Sequence, residues 1–166
     1  MKLAVQRAAL AAALVGLGFW GWRAVFPGPE KVIRHRLTEM AESASFTSNE
    51  GPLAKFINAQ KLSGFCTPDV ELDIAVPGYQ RSISGRDELL KIAMMARSAV
   101  SSVSVQFPDI NVTVAPDKQS AVADVTVRAR IGADKDFDVR EFSCALKKID
   151  GTWFVSRVHT VRTLRE

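Results

Sequence analysis

Catalysis needs side chains that move protons, attack, or hold metals, and this chain of 166 residues has few of them. It contains two histidines, His35 and His159, and two cysteines, Cys66 and Cys144. A histidine within hydrogen-bond reach of a carboxylate is the usual acid–base arrangement. Arg157 lies two positions before His159, so on a strand the two share a face. Turned inward among Phe142, Cys144 and Trp153, they would form an anion-binding or acid–base site in an apolar pocket. What is missing is an acid. Glu71 and Asp73 alternate with Val70, Leu72 and Ile74, and so take the polar side of a strand. Asp124 and Asp138 fall on the polar parity of theirs, and His35 lies on the polar side of a predicted helix. No general acid–base pair assembles from these residues, and none is expected to be catalytic.

Cys66 and Cys144 form no Cys-x-x-Cys motif and have no metal-ligand spacing. With two histidines that have no partner at such spacing, no metal site is expected. A Gly-rich phosphate loop and a nucleophile motif are also missing, so no cofactor is implied. The cysteines read as small buried hydrophobes, with a disulfide open to them in an exported domain.

The stretch that must position these side chains is residues 137–164. Asp150-Gly151 divides two alternating apolar runs, a strong hairpin signal because a tight turn needs positive φ. Phe142, Cys144 and Leu146 lead in; Trp153 and Val155 lead out on one parity, Phe154 and Val158 on the other. A two-residue turn pairs Leu146 with Val155, Cys144 with Arg157 and Phe142 with His159, which puts the Arg and His inside. A three-residue turn with Gly151 as a bulge flips the last strand and puts them on the surface. Cys144 stays inside in both registers.

Upstream, the spacing predicts a helix over residues 30–46, with Ile33, Leu37, Met40, Ala41 and Ala44 on one face. Thr47 and Glu50 form a capping box for a second helix through Leu53, Phe56, Ile57 and Leu62, ended by Gly64. A strand over residues 70–76 turns back at Pro77-Gly78. Ser84-Gly85-Arg86-Asp87 opens a third helix with Leu89, Ala93, Ala96 and Val100 on one face. Met94 and Met95 read as core filling. Strands then run to the end of the chain, with a bulge or bend expected at Pro108-Asp109 and a hairpin turn at residues 115–118.

The first 29 residues carry Lys2, Arg7 and Arg23 and no acid, so most of the net charge of +4 belongs to them. The rest interleaves Arg and Lys with Asp and Glu, without the basic stripe of a nucleic-acid binder. Nucleic acid is therefore not an expected partner. Residues 8–22 hold no charge, and residues 3–26 are long enough to span a bilayer core, with arginines near both ends and Trp20, Trp22 and Phe26 at one. No small-x-small cleavage site follows, so the expectation is an uncleaved single-pass anchor over residues 1–29. Membrane is thus an expected partner. The flanking charges, Lys2 and Arg7 before against Arg23, Lys31, Arg34 and Arg36 after, favour a cytoplasmic domain. A short basic N-terminus before the apolar run favours instead the exported, periplasmic side of a bacterial cell membrane, which is the expectation here. Pro27-Gly28-Pro29 makes a stiff joint to the domain over residues 30–166.

This order of helices and strands predicts an α+β fold: a cone-shaped, curved antiparallel sheet wrapped on three N-terminal helices, preceded by one transmembrane helix. Phe65-Cys66-Thr67-Pro68-Asp69-Val70-Glu71, Ser84-Gly85-Arg86-Asp87-Glu88-Leu89 and Ile149-Asp150-Gly151-Thr152-Trp153 carry a resemblance to the nuclear transport factor 2-like, or SnoaL-like, superfamily. The resemblance covers about residues 30–164. These motifs are diagnostic of shape, and the superfamily includes isomerases, dehydratases, epoxide hydrolases, polyketide cyclases and many non-catalytic binding or assembly domains. What it implies here is a membrane-tethered domain that binds a small apolar ligand or serves assembly. An isomerase- or dehydratase-type enzyme is the alternative, and a docking subunit of an envelope complex the next. Phe142, Cys144, Trp153, Arg157 and His159 are the candidate ligand-binding residues. Relatives dimerise through the outer sheet face; Asp124, Arg128 and Arg130 on that face predict only a weak homodimer.

Overall fold

The structure, a computed structural model, describes residues 28–76, 79–133 and 136–161. The expected membrane anchor lies outside them. Among the described residues no helix is long and apolar enough to cross a membrane.

The first helix, α1 (Pro29–Ala44), begins with proline at its start and Glu30 in the first turn, where an acid complements the helix dipole. Its Ile33, Leu37 and Ala41, four apart, are buried. The second, α2 (Pro52–Ser63), starts later than the Thr47–Glu50 capping box implies. Gly51 is its N-cap, Pro52 its first residue, and no side chain caps it. Its buried face is not the one that carries its large apolar residues. Ala59 and Ser63 are the buried residues, whereas Leu53, Phe56 and Ile57 are exposed. Small side chains let this helix approach its neighbours closely, and the larger apolar ones point away.

Two strands follow, β1 (Cys66–Val76) and β2 (Tyr79–Ser84), and then α3 (Arg86–Ala99). Gly85 caps α3 at a φ of 90°, and Glu88 accepts a hydrogen bond from the Ser84 amide at 3.0 Å. The reciprocal half of the predicted capping box is therefore present, supplied by Glu88 rather than Asp87. Leu89, Ala93 and Arg97 are its buried residues. Met94 and Met95, read as core, are exposed.

The last four strands are β3 (Val103–Val114), β4 (Ser120–Ile131), β5 (Asp138–Ile149) and β6 (Thr152–Thr160). The sheet order is β2-β1-β6-β5-β4-β3. Neighbours are antiparallel except β1 and β6, which run parallel, so the sheet is mixed and not purely antiparallel as expected. The parallel pair follows from the path: after β2 the chain crosses through α3 to the far edge, and the meander back ends beside β1. In β3 the register shifts between Gln106 and Asp109, at the predicted bend.

Cross-strand partners share a face, which makes the inner surface a set of rows. One runs Ile83, Leu72, Val158, Cys144, Ala123, Val112 across all six strands. Another runs Cys66, Val155, Leu146, Ala121, Val114. Ile33 and Leu37 of α1 join these rows in one core, with Trp153 at the hairpin end.

Candidate functional site

The β5–β6 hairpin turns in two residues, with Asp150 at φ 49° and Gly151 at φ 82°, as the first of the two predicted registers requires. Lys148 pairs with Trp153 and Leu146 with Val155. The register then shifts. Ala145 pairs with Arg157, so Ser156 is an extra residue in β6, and its hydroxyl donates to the Ala145 carbonyl at 3.2 Å. Beyond this bulge Cys144 faces Val158, not Arg157, and Phe142 faces Thr160, not His159.

The bulge separates the five candidate residues. Phe142 is half-buried against the core, Cys144 is buried and Trp153 is buried. Arg157 and His159 are exposed on the outer face. Arg157 binds Glu71, its cross-strand neighbour, with Nε 3.0 Å from the carboxylate and Nη2 also donating. His159 lies between Asp73 on β1 and Ser143 on β5. Ser143 in turn donates to Asp124 at 2.9 Å, and Ser82 to Asp73 at 2.8 Å. The outer face therefore carries a polar ladder, while the inner rows are apolar. The strand was expected to present its polar pair inward or to reverse through the turn. It does neither, because a one-residue insertion changes the parity part-way along.

Among the described residues, the buried polar or charged ones are Ser43, Ser63, Thr67 and Arg97, with no carboxylate and no histidine. His35 is exposed, 3.7 Å from Glu39 on the same helix. Both cysteines are free and buried. Burial pushes the Cys66 thiol up to about 11, against the pull of the Arg86 and Arg36 guanidiniums. Burial pushes Cys144 up to about 12, with Cys66 and Asp124 adding to the shift. A thiol held protonated this far above neutrality is no nucleophile. No group of three or more His, Cys, Asp or Glu among the described residues could hold a metal ion.

Arg34 donates to the Ile110 carbonyl, and Arg36, Arg86 and Arg97, nearer the core, also bind backbone carbonyls. Arg36 donates to the Trp153 carbonyl at 2.5 Å and lies over the rings of Phe65 and Phe154. Arg86 donates to the Cys66 carbonyl through both Nε and Nη2. Arg97, 3% exposed, donates to Glu50 at 2.6 Å and to the Ser43 carbonyl, with its guanidinium 4.8 Å from the Phe46 ring. The sequence reading missed this pair. Arg97 recurs four after Ala93 and eight after Leu89, on the buried stripe, and that spacing was the available signal. A depression of about 430 Å³ opens beside it, lined by Ser45, Thr47, Glu50, Ser104 and Arg130 among others. Its Glu50 is already held by Arg97 and by Asn58 at 2.7 Å, and the Ser45 hydroxyl by the Val105 amide at 2.9 Å.

Solved structures share this architecture. The fold is the nuclear transport factor 2-like cone. A protein provisionally named an aromatic ring hydroxylase, from Novosphingobium aromaticivorans, superposes with a TM-score of 0.64 at 10% identity, over 82% of this chain and 90% of that one. A nuclear transport factor 2-like protein of unknown function from Pseudomonas putida gives 0.62 at 13% identity, over 82% and 87%. A provisionally named scytalone dehydratase from Novosphingobium aromaticivorans gives 0.61 at 16% identity, over 81% and 83%. No protein-family model matches the chain, and no curated protein matches it in sequence. At these identities the cone carries over from the neighbours, and their chemistry does not.

Proposed function

We propose that this chain is a membrane-tethered cone domain that binds a small apolar partner or serves assembly, and is not an enzyme. The observation that supports this is the division of the sheet. The described buried residues include no carboxylate and no histidine, and the one carboxylate on the inward parity of β5, Asp138 opposite Ala129, is exposed at the start of the strand and held by Arg140. Proton transfer at an apolar ligand needs an acid or base within hydrogen-bond reach, and the interior has neither. Phe142, half-buried beside Cys144, is where a small apolar ligand would enter.

The tether rests on residues 3–26, acid-free and apolar, with the domain on the exported side. Two neighbours bear enzyme names, which keeps an isomerase or dehydratase as the alternative, and a docking role in an envelope complex is the next. The polar ladder of the outer face favours weak homodimers over tight ones.

Thermal melting of the purified full chain with a series of small cyclic hydrocarbons tests the reading. A rise in Tm that Phe142→Ala abolishes assigns ligand binding, and an unchanged Tm assigns assembly. Turnover of an isomerase or dehydratase substrate that Cys144→Ala abolishes would overturn the proposal. Fractionation decides the tether: recovery of the full chain in the soluble fraction removes it.

A further inference from the structure

The face of α2 that the core does not use is the one its sequence made apolar. Leu53 is 71% exposed, Ile57 52% and Phe56 40%, and α3, which packs on α2, exposes Met95 at 57% and Met94 at 37%. Large apolar side chains grouped this way on a surface mark a contact. The helix also contains Lys55 and Lys61 and no acid, whereas α1 and α3, the other helices among the described residues, both contain acids. An apolar stripe on a helix bearing only positive charge is the composition of a helix that lies in a membrane interface.

The chain outside the described residues says which surface is near. Residues 1–27 hold no acid, and the apolar run ends at the joint immediately before α1. If that run is anchored, the joint leaves the domain only a few residues of freedom from the headgroups. We propose that the exposed face of α2, carrying Leu53, Phe56 and Ile57, seats on an anionic bilayer surface. The inference rests on the tether reading for its proximity, and on the side chains of α2 for its chemistry. A second copy seated on this face is the other occupant, and the test below separates it from the bilayer. Seating turns the opposite side of the domain to water and fixes its orientation above the membrane.

The test uses the full chain with Phe56→Cys, labelled with an environment-sensitive fluorophore, and Thr113→Cys on the outer sheet face as control. The native thiols are buried and protonated, so they stay unlabelled. Vesicles are phosphatidylcholine with or without phosphatidylglycerol, each carrying doxyl-labelled lipid. The expected result is emission from position 56 that shifts to the blue and is quenched several-fold more than at 113, with the difference reduced by high salt and by Lys61→Glu. A chain that floats with the vesicles while position 56 stays in water overturns the seating and leaves the tether standing. A chain that ignores pure phosphatidylcholine but reaches phosphatidylglycerol through position 56 overturns the tether and supports the seating. A blue shift without doxyl quenching means that protein covers the face, either a second copy or the chain's own first residues, and overturns the proposal. Leu53→Ser with Ile57→Ser, at exposed positions, should leave the melting curve in place and abolish the quenching.

Discussion

Replacing Arg97 by methionine should destabilise the domain by about 3 kcal/mol, although it exchanges a charge for an apolar side chain in a buried place. The side chain of Arg97 is 2% exposed and that of its partner Glu50 15%. Removing one member of a buried pair leaves the other charge uncompensated, which costs roughly 3–5 kcal/mol in a closed site. Glu50 keeps its bond from Asn58 and some contact with water, which moves its share toward the lower end. The Ser43 carbonyl also loses its donor, worth about 1 kcal/mol, and the Phe46 ring loses its cation, worth roughly 0.5–1 kcal/mol. Methionine regains part of this through packing. For a domain of this size about 3 kcal/mol lowers Tm by roughly 10 °C.

The assay is urea and thermal unfolding of residues 28–166, which contain the whole described core. The decisive comparison is the double variant, Arg97→Met with Glu50→Gln. Without a charge to strand, it should recover about 1–2 kcal/mol relative to Arg97→Met alone. Arg97→Lys should recover little, because an ammonium on a shorter stem cannot serve both the carboxylate and the Ser43 carbonyl. A loss below about 0.5 kcal/mol for Arg97→Met would place the guanidinium in water and refute the buried pair.

Cys144→Ala should cost on the order of 1 kcal/mol through lost packing, and Cys144→Arg several times more by burying a charge; rapid labelling of the native thiol near neutral pH would contradict this. Thiols raised to about 11 and about 12 imply a fall of stability in alkali. The unfolded chain releases those protons near about 8.5 while the folded one holds them, so stability declines as pH rises above that value. Removing both cysteines should flatten the decline, and an unchanged slope would show that other groups cause it. Arg157→Ala and His159→Ala should each change stability by less than about 0.5 kcal/mol, as exposed positions do; a loss above about 2 kcal/mol would put them inside.

Much of the fold was legible because alternation and capping agree on it. The rows of β4 and β5 follow from Ala121, Ala123 and Val125 opposite Leu146, Cys144 and Phe142. The hairpin at Asp150-Gly151 follows from its dihedral demands. The second helix was legible but its buried face was not, because hydrophobic periodicity marks an apolar face without saying what covers it. On α2 the core takes Ala59 and Ser63, and the face carrying Leu53, Phe56 and Ile57 is left open. Arg97 escaped because charge was read as exposure, although its partner, Glu50, lies 47 residues away in sequence.

The position of Arg157 and His159 was the point on which any enzyme reading depended, and its answer was present in β6 without being decodable from the turn. Trp153 and Val155 ask for one parity and Val158 for the other. A regular strand would bury either Arg157 and His159 or Ser156 and Phe154 to satisfy one set. Placing an unpaired guanidinium beside Cys144 would cost several kcal/mol, with no buried carboxylate among the described residues to offset it. One extra residue at Ser156 avoids that choice. It keeps Trp153 and Val155 inward, returns Val158 to the same face, and sends Arg157 out to Glu71. The hydroxyl of the inserted serine bonds to the Ala145 carbonyl. A shift of apolar parity within one strand, with charged residues just past the shift, is therefore a stronger sign of a bulge than of an inward polar site.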